Sequence, residues 1–129
     1  MKKTISILLA LFLFGGISAC AADSSPKTIS AAEGKAMMED DENIILIDVR
    51  TESEYLESHI AGAILVPLDD ISTLASQKMS DLNATYIVYC RSGRRSAEAV
   101  ALLDEMGYTS LYDMGGIINW SYGTVSGND

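Results

Sequence analysis

Two apolar runs constrain this chain most: Ile44-Ile45-Leu46-Ile47 and Thr85-Tyr86-Ile87-Val88-Tyr89. A strand with one solvated face alternates apolar and polar side chains. These runs do not alternate, so each predicts a strand covered on both faces, as in a parallel sheet between helical layers. Gly62 to Pro67 predicts another short strand, stopped by the proline, and Ser110-Leu111-Tyr112 a last one. Helical patterns lie between them. Ser30-Ala31-Ala32-Glu33 has the form of a capping box and predicts a helix from Ala31 to Glu39. Thr51 to Ser58 and Leu68 to Lys78 predict two more, the second burying Ile71, Leu74 and Ala75. Ser96 to Met106 is the strongest, with Ala99, Leu102, Leu103 and Met106 at helical spacing and Gly107 to end it. A short helix is expected around Ile117 to Trp120. Strands alternating with helices make this an α/β domain with a parallel sheet.

At 129 residues there is room for one such domain. Its start lies after a leader. Lys2 and Lys3 precede an uncharged apolar run from Ile5 to Ile17, followed by small residues up to Cys20. That order predicts a signal peptide over residues 1–19. The run is short of the about 20 apolar residues that a membrane span needs. Ile17-Ser18-Ala19-Cys20 resembles the lipobox of bacterial lipoproteins, which implies a lipid on Cys20. Residues 20–27 would then be a lipidated Cys and polar tether, 28–122 the domain, and 123–129 a polar tail. Such a protein is held to a membrane through its lipid alone. Ala21 is not the Asp that marks inner-membrane retention. The expected place is the periplasmic face of the outer membrane in a diderm, or otherwise the cell surface.

Charge narrows the partners. Losing Lys2 and Lys3 takes the net charge from −9 to −11, which argues against nucleic acid as a partner. Yet Arg91, Arg94 and Arg95 gather beside Cys90. With Cys20 lipidated, Cys90 is the one remaining cysteine, so a structural disulfide is not expected.

The segment Cys90-Arg91-Ser92-Gly93-Arg94-Arg95-Ser96 follows a predicted strand and opens a predicted helix, at the sheet edge where α/β folds bind ligands. Gly93 permits a tight turn with N–H groups facing inward. Those groups, the helix N-terminus and the guanidinium groups favour thiolate over thiol, and the thiolate is the nucleophile. Arg95 is placed to orient an oxyanion bidentately. The hydroxyls of Ser92 and Ser96 can donate to the sulfur or to substrate. Plainer readings exist for each: a buried structural thiol for Cys90, solvated charges for Arg91 and Arg94, an N-cap for Ser96. His59, the single histidine, suits capping or packing better than general-base work, and Trp120 suits the core.

This loop is similar to the C-R-S-G-x-R-S active loop of the rhodanese (thiosulfate sulfurtransferase) family. Ile47-Asp48-Val49-Arg50 with Glu54-Tyr55 resembles the family's D-V-R-x-x-x-E-[FY] segment. His59-Ile60-Ala61-Gly62-Ala63 with Pro67 resembles its G-H-I-x-G-A-x-x-x-P stretch, with Ser58 in place of a Gly. Gly115-Gly116-Ile117-Ile118-Asn119-Trp120 resembles its G-G-x-x-x-W ending, although the proline common after that Trp is missing. The likeness spans about Thr28 to Trp120. It implies a five-stranded parallel sheet flanked by helices on both faces, and a sulfur carrier that needs neither metal nor organic cofactor. Cys90 would take sulfane sulfur from thiosulfate or a persulfide or polysulfide donor, hold it as a persulfide, and yield it to a thiol or cyanide. Asp48, Arg50 and Glu54 would support the sheet edge. Two rivals remain. A cysteine phosphatase or arsenate reductase would place five residues between Cys and Arg, where four separate Cys90 from Arg95. A rhodanese-like module that only binds a partner or senses redox state would keep the loop without turnover.

Overall fold

The computed structural model describes residues 24–128. The expected signal peptide and Cys20 lie outside the described residues, as does Asp129. The elements run β1 (Lys27–Thr28), α1 (Ala31–Asp40), β2 (Ile45–Asp48), α2 (Glu52–Glu57), β3 (Ile64–Leu65), α3 (Ile71–Lys78), β4 (Thr85–Cys90), α4 (Arg94–Glu105) and β5 (Ser110–Gly116). Single 3₁₀ turns at Leu68–Asp70 and Ile117–Asn119 complete the order. All strands pair parallel in the order β1-β5-β4-β2-β3. This is the five-stranded sheet that the resemblance implies.

The unalternating runs occupy the sheet centre and are buried on both sides. Along β4, Tyr86, Val88 and Cys90 join a core shared with Ala75 of α3 and with Ala99, Val100 and Leu103 of α4. Ile87 and Tyr89 point the other way, into a core with Met114, Met37 of α1 and Tyr55. The strand's two-residue period thus divides one apolar run between two helical layers. The Tyr86 hydroxyl donates to Asp81 O, and the Tyr108 hydroxyl to Ala75 O and Met79 O. Each aromatic body is therefore buried with its polar tip bonded.

The capping box at α1 forms as expected: Glu33 N–H donates to Ser30 Oγ at 3.1 Å, and Ser30 N–H to Glu33 Oε1. Three expectations change. In α4, Leu102 and Met106 are over a third exposed, and the buried stripe is Ser96, Ala99, Val100 and Leu103. The helix begins two residues earlier than the sequence suggested, and its first turn already contributes the fully buried Ser96 to that stripe. At the chain's start, Lys27 is part of a strand rather than of a tether. It pairs with Tyr112, and Ile29 N–H donates to Asp113 O, so this short strand covers the otherwise open edge of β5. At the other end, the tail is bound. Val125 exchanges two 2.8 Å backbone hydrogen bonds with His59, and Gly127 N–H donates to Leu56 O.

Candidate active site

β4 delivers Cys90 to the C-terminal edge of the sheet, between β2 and β5. Its neighbour β5 is irregular there. Val88 pairs with Asp113 but Tyr89 pairs with Gly115, leaving Met114 as the extra residue of a bulge. Asp113 Oδ1 accepts from Gly115 N–H and holds the bulge. The shift brings Gly116 opposite Cys90, hard against the loop. A Cβ there would sit 2.7 Å from Ser92 Cα and closer still to Arg91 O. Only glycine admits the loop backbone at this point. The loop is tied down again where Ile118 N–H donates to Arg91 O.

Gly93, with φ of +108°, turns the chain from loop into α4. Its N–H points back and donates to Cys90 Sγ at 3.0 Å. Cys90 is 1% exposed, and burial by itself pushes the thiol pKa up. Against that act the Ser96 hydroxyl and the backbone N–H groups of Ser96, Gly93 and Ser92, all of which favour the thiolate. The donors win, and the thiol pKa lies below its ordinary value. The Ser96 hydroxyl, with a single hydrogen to give, also lies 3.0 Å from Gly93 O, an alternative acceptor in the turn. Ser96 is fully buried, beyond what a surface N-cap requires.

The three arginines have different surroundings. Arg91 and Arg94 are exposed, with no ion-pair partner among the described residues. Arg95 turns its fork to Glu54, with Nη1 and Nη2 at 2.6 and 2.8 Å from the two carboxylate oxygens. The bidentate geometry expected toward a substrate oxyanion is thus met by a carboxylate of the protein. Arg95 holds the Glu54 carboxyl down to about 2, although burial opposes it and Thr51 assists. Glu54 is oriented by a second capping box, in which Thr51 Oγ1 accepts from Glu54 N–H and Glu54 Oε1 accepts from Thr51 N–H. The T-x-x-E spacing carries that signal in the sequence, and it was not read there.

Asp48 and Arg50 form a second, buried pair. Arg50 Nε donates to both Asp48 oxygens and Nη2 to Oδ2 at 2.7 Å. Burial works against the Arg50 charge, but the Asp48 carboxylate outweighs it and the pKa rises. The Tyr89 hydroxyl donates to Asp48 Oδ2 and accepts from Ile60 N–H. Its own pKa is pushed up, first by burial and then by Asp48. The neighbour of Cys90 on β4 therefore anchors the β2 edge. His59 stacks on Tyr55 with ring centroids 3.7 Å apart, and its Nδ1 lies 2.8 Å from Tyr55 O, a packing role as expected. Trp120 is half-buried against the α1 side of the sheet, and its Nε1–H donates to Gly123 O.

Residues 30–122 match the rhodanese-like domain. The chain belongs to the rhodanese-like domain family. It is 38% identical to "Thiosulfate sulfurtransferase PspE" of Escherichia coli over 63% of this chain and 78% of that protein. It is 36% identical to a protein named "Sulfurtransferase" from Allochromatium vinosum, over 64% of this chain and 76% of that one. Among solved structures it is similar to "rhodanese with anions from E. coli", with 37% identity and a TM-score of 0.61 over 65% of this chain and 99% of that one. A rhodanese-like domain protein from Staphylococcus aureus is 29% identical with a TM-score of 0.66, over 78% and 97%. The rhodanese-like chain described here is a sulfurtransferase of the rhodanese type.

Proposed function

We propose that Cys90 carries sulfane sulfur as a persulfide, taking it from thiosulfate or from a persulfide or polysulfide and passing it to a thiol or cyanide. The supporting observation is the 3.0 Å contact of Gly93 N–H with Cys90 Sγ inside a loop that lowers the thiol pKa. With thiosulfate, the Cys90 thiolate attacks the outer sulfur. The Sγ–S bond forms, the S–S bond of thiosulfate breaks, and sulfite leaves with its electron pair. Cys90 is left as a persulfide anion, and the same N–H donors face the charge it bears. Arg91 and Arg94, exposed and unpaired, meet the incoming anion. Arg95 is held by Glu54 and braces the loop. In the second half-reaction a thiolate or cyanide removes the outer sulfur and returns Cys90 to the thiolate. No step requires a metal or organic cofactor.

Mass spectrometry of the thiosulfate-treated protein tests the reading. Cys90 gains one sulfur atom, and the Cys90→Ser variant gains none. No added sulfur from thiosulfate or any polysulfide donor would sink it.

We further propose that Cys20 is lipidated after removal of residues 1–19, which places the domain outside the cytoplasm on a membrane face. The support is the charge, apolar run and lipobox-like Ile17-Ser18-Ala19-Cys20 of the sequence. The full-length protein then fractionates with membranes, and Cys20→Ala releases it. An unchanged distribution refutes the anchor.

A further inference from the structure

Beside the loop lies an open cleft of about 360 Å³ whose lining includes Arg50, Glu57, Ser58, Arg91 and Ile118. Its charges are arranged in a way that the donor half-reaction does not explain. Glu57 is the difficult one. It is exposed and has no ion-pair partner among the described residues. It ends α2, where the helix dipole opposes a carboxylate, whereas Glu52 and Glu54 sit in the first turn, where the dipole favours them. A carboxylate also opposes both a nearby thiolate and an approaching thiosulfate dianion. Arg50 Nη2 donates to Ser58 O at 2.7 Å and pins the end of α2, the turn that carries Glu57.

Glu54 also lines the cleft, but its carboxylate is held by Arg95, and the remaining lining has the opposite character. Arg91 is exposed and unpaired. Arg50 commits Nε and Nη2 to Asp48 and Ser58, which leaves Nη1 as its donor without a hydrogen-bond partner among the described residues. Ile118 is 66% exposed, an apolar wall kept beside the loop by its N–H bond to Arg91 O. One cleft thus presents a carboxylate, a guanidinium face and an aliphatic surface, and it reaches the thiol's loop at Arg91, the residue that follows Cys90. We infer that it is the acceptor subsite and that it takes a zwitterionic aminothiol, one bearing both a free ammonium and a carboxylate. The ammonium meets Glu57, the carboxylate meets Arg91 with Arg50 Nη1, and the methylene carbons lie along Ile118.

The inference rests on the persulfide reading and specifies its second half. The acceptor thiol passes its proton to the Cys90 persulfide anion, and the resulting thiolate attacks the outer sulfur. The new S–S bond forms on the acceptor, the Cys90 Sγ–S bond breaks, and Cys90 departs as thiolate. The acceptor leaves as a persulfide bearing the proton it gave up. No oxidant or reductant enters.

The test separates the two halves. The protein is loaded with thiosulfate, freed of excess donor, and its added sulfur is followed by mass spectrometry during discharge. Four thiols are compared at equal thiolate concentration: cysteine, cysteamine without the carboxylate, 3-mercaptopropionate without the ammonium, and 2-mercaptoethanol without either. Cyanide serves as an acceptor with no use for Glu57. Cysteine is expected to discharge Cys90 about tenfold faster than either singly charged analogue, a modest effect for one charge pair. Glu57→Gln brings the ratio of cysteine to 3-mercaptopropionate toward one, and lowers the ratio of cysteine to cyanide discharge. Glu57→Lys, with charge reversed, makes 3-mercaptopropionate the better of the two. Equal rates for all four thiols overturn the inference while the loaded adduct leaves the persulfide reading standing. A preference for cysteine that survives both Glu57 variants overturns it as well. Failure to load any sulfur overturns both.

Discussion

At the scale of single residues, the account turns on what surrounds one sulfur atom. Burial alone makes Cys90 an ordinary, reluctant thiol, and the loop donors reverse that. Ser96 is the most direct of these to test, because its hydroxyl is the strongest of the influences favouring the thiolate. Ser96→Ala therefore raises the Cys90 pKa, and the pH profile of iodoacetamide alkylation moves to higher pH. An unmoved profile contradicts the role given to the hydroxyl. A melting curve on the same variant separates a change at the sulfur from a general loss of fold, since the Ser96 hydroxyl also lies 3.0 Å from Gly93 O. Glu54 makes the second residue-scale prediction. Its folded-state pKa of about 2 lies below the ordinary 4.5, so the folded state binds its proton more weakly than the unfolded chain does. Its contribution is complete above about 4.5 and disappears as the pH falls toward 2. Urea unfolding across that window should show the wild type losing stability more steeply than Glu54→Gln. Parallel curves refute the coupling.

At the scale of elements, the site is a meeting of three edges. β2 contributes the Asp48–Arg50 pair, β4 the thiol, and β5 the bulge that brings Gly116 under the loop. Gly116→Ala forces its methyl group into the Arg91–Ser92 backbone, which has no flexible end to move aside. We expect sulfur transfer to fall by at least about tenfold, with destabilisation in the usual range of about 1–3 kcal/mol for an overpacked site. Full activity with an unchanged melting temperature contradicts the packing. The elements were legible in the sequence to differing degrees. The central strands were plain, because their apolar runs have one physical use. The turn and donor groups of the Cys90–Ser96 loop were plain as well, because they come from seven consecutive residues. The phase of α4 was misread because Leu102 and Met106 keep helical spacing with Ala99 and Leu103 but face solvent on the flank of the stripe. Arg95 was assigned to substrate because its partner Glu54 is 41 residues away, and charge alone does not reveal which carboxylate a fold brings near. The T-x-x-E box at Thr51 was the available hint that Glu54 is fixed in place.

At the scale of the whole molecule, the chain closes on itself beneath the site. Residues 123–129, expected as a polar tail, bridge His59 through Val125 and bond Leu56 through Gly127. His59 in turn stacks on Tyr55 of α2, the helix that carries Glu54 and Glu57. Removing residues 124–129 takes away three backbone hydrogen bonds. At about 0.5–1.5 kcal/mol each, that predicts a loss of roughly 1.5–4.5 kcal/mol in urea unfolding. No loss would show that the tail rests on the domain without stabilising it. The parallel sheet and its two cores persist in such a variant, because no core residue lies in the deleted stretch.

The central claim is that Cys90 becomes a sulfur carrier by displacing sulfite, before any acceptor arrives. It is tested most directly by mixing the protein with excess thiosulfate in the absence of acceptor and measuring sulfite. The account predicts a rapid release of one sulfite per Cys90, after which release stops until cyanide or a thiol is added. No release before the acceptor is added, or the same release from Cys90→Ser, would contradict it.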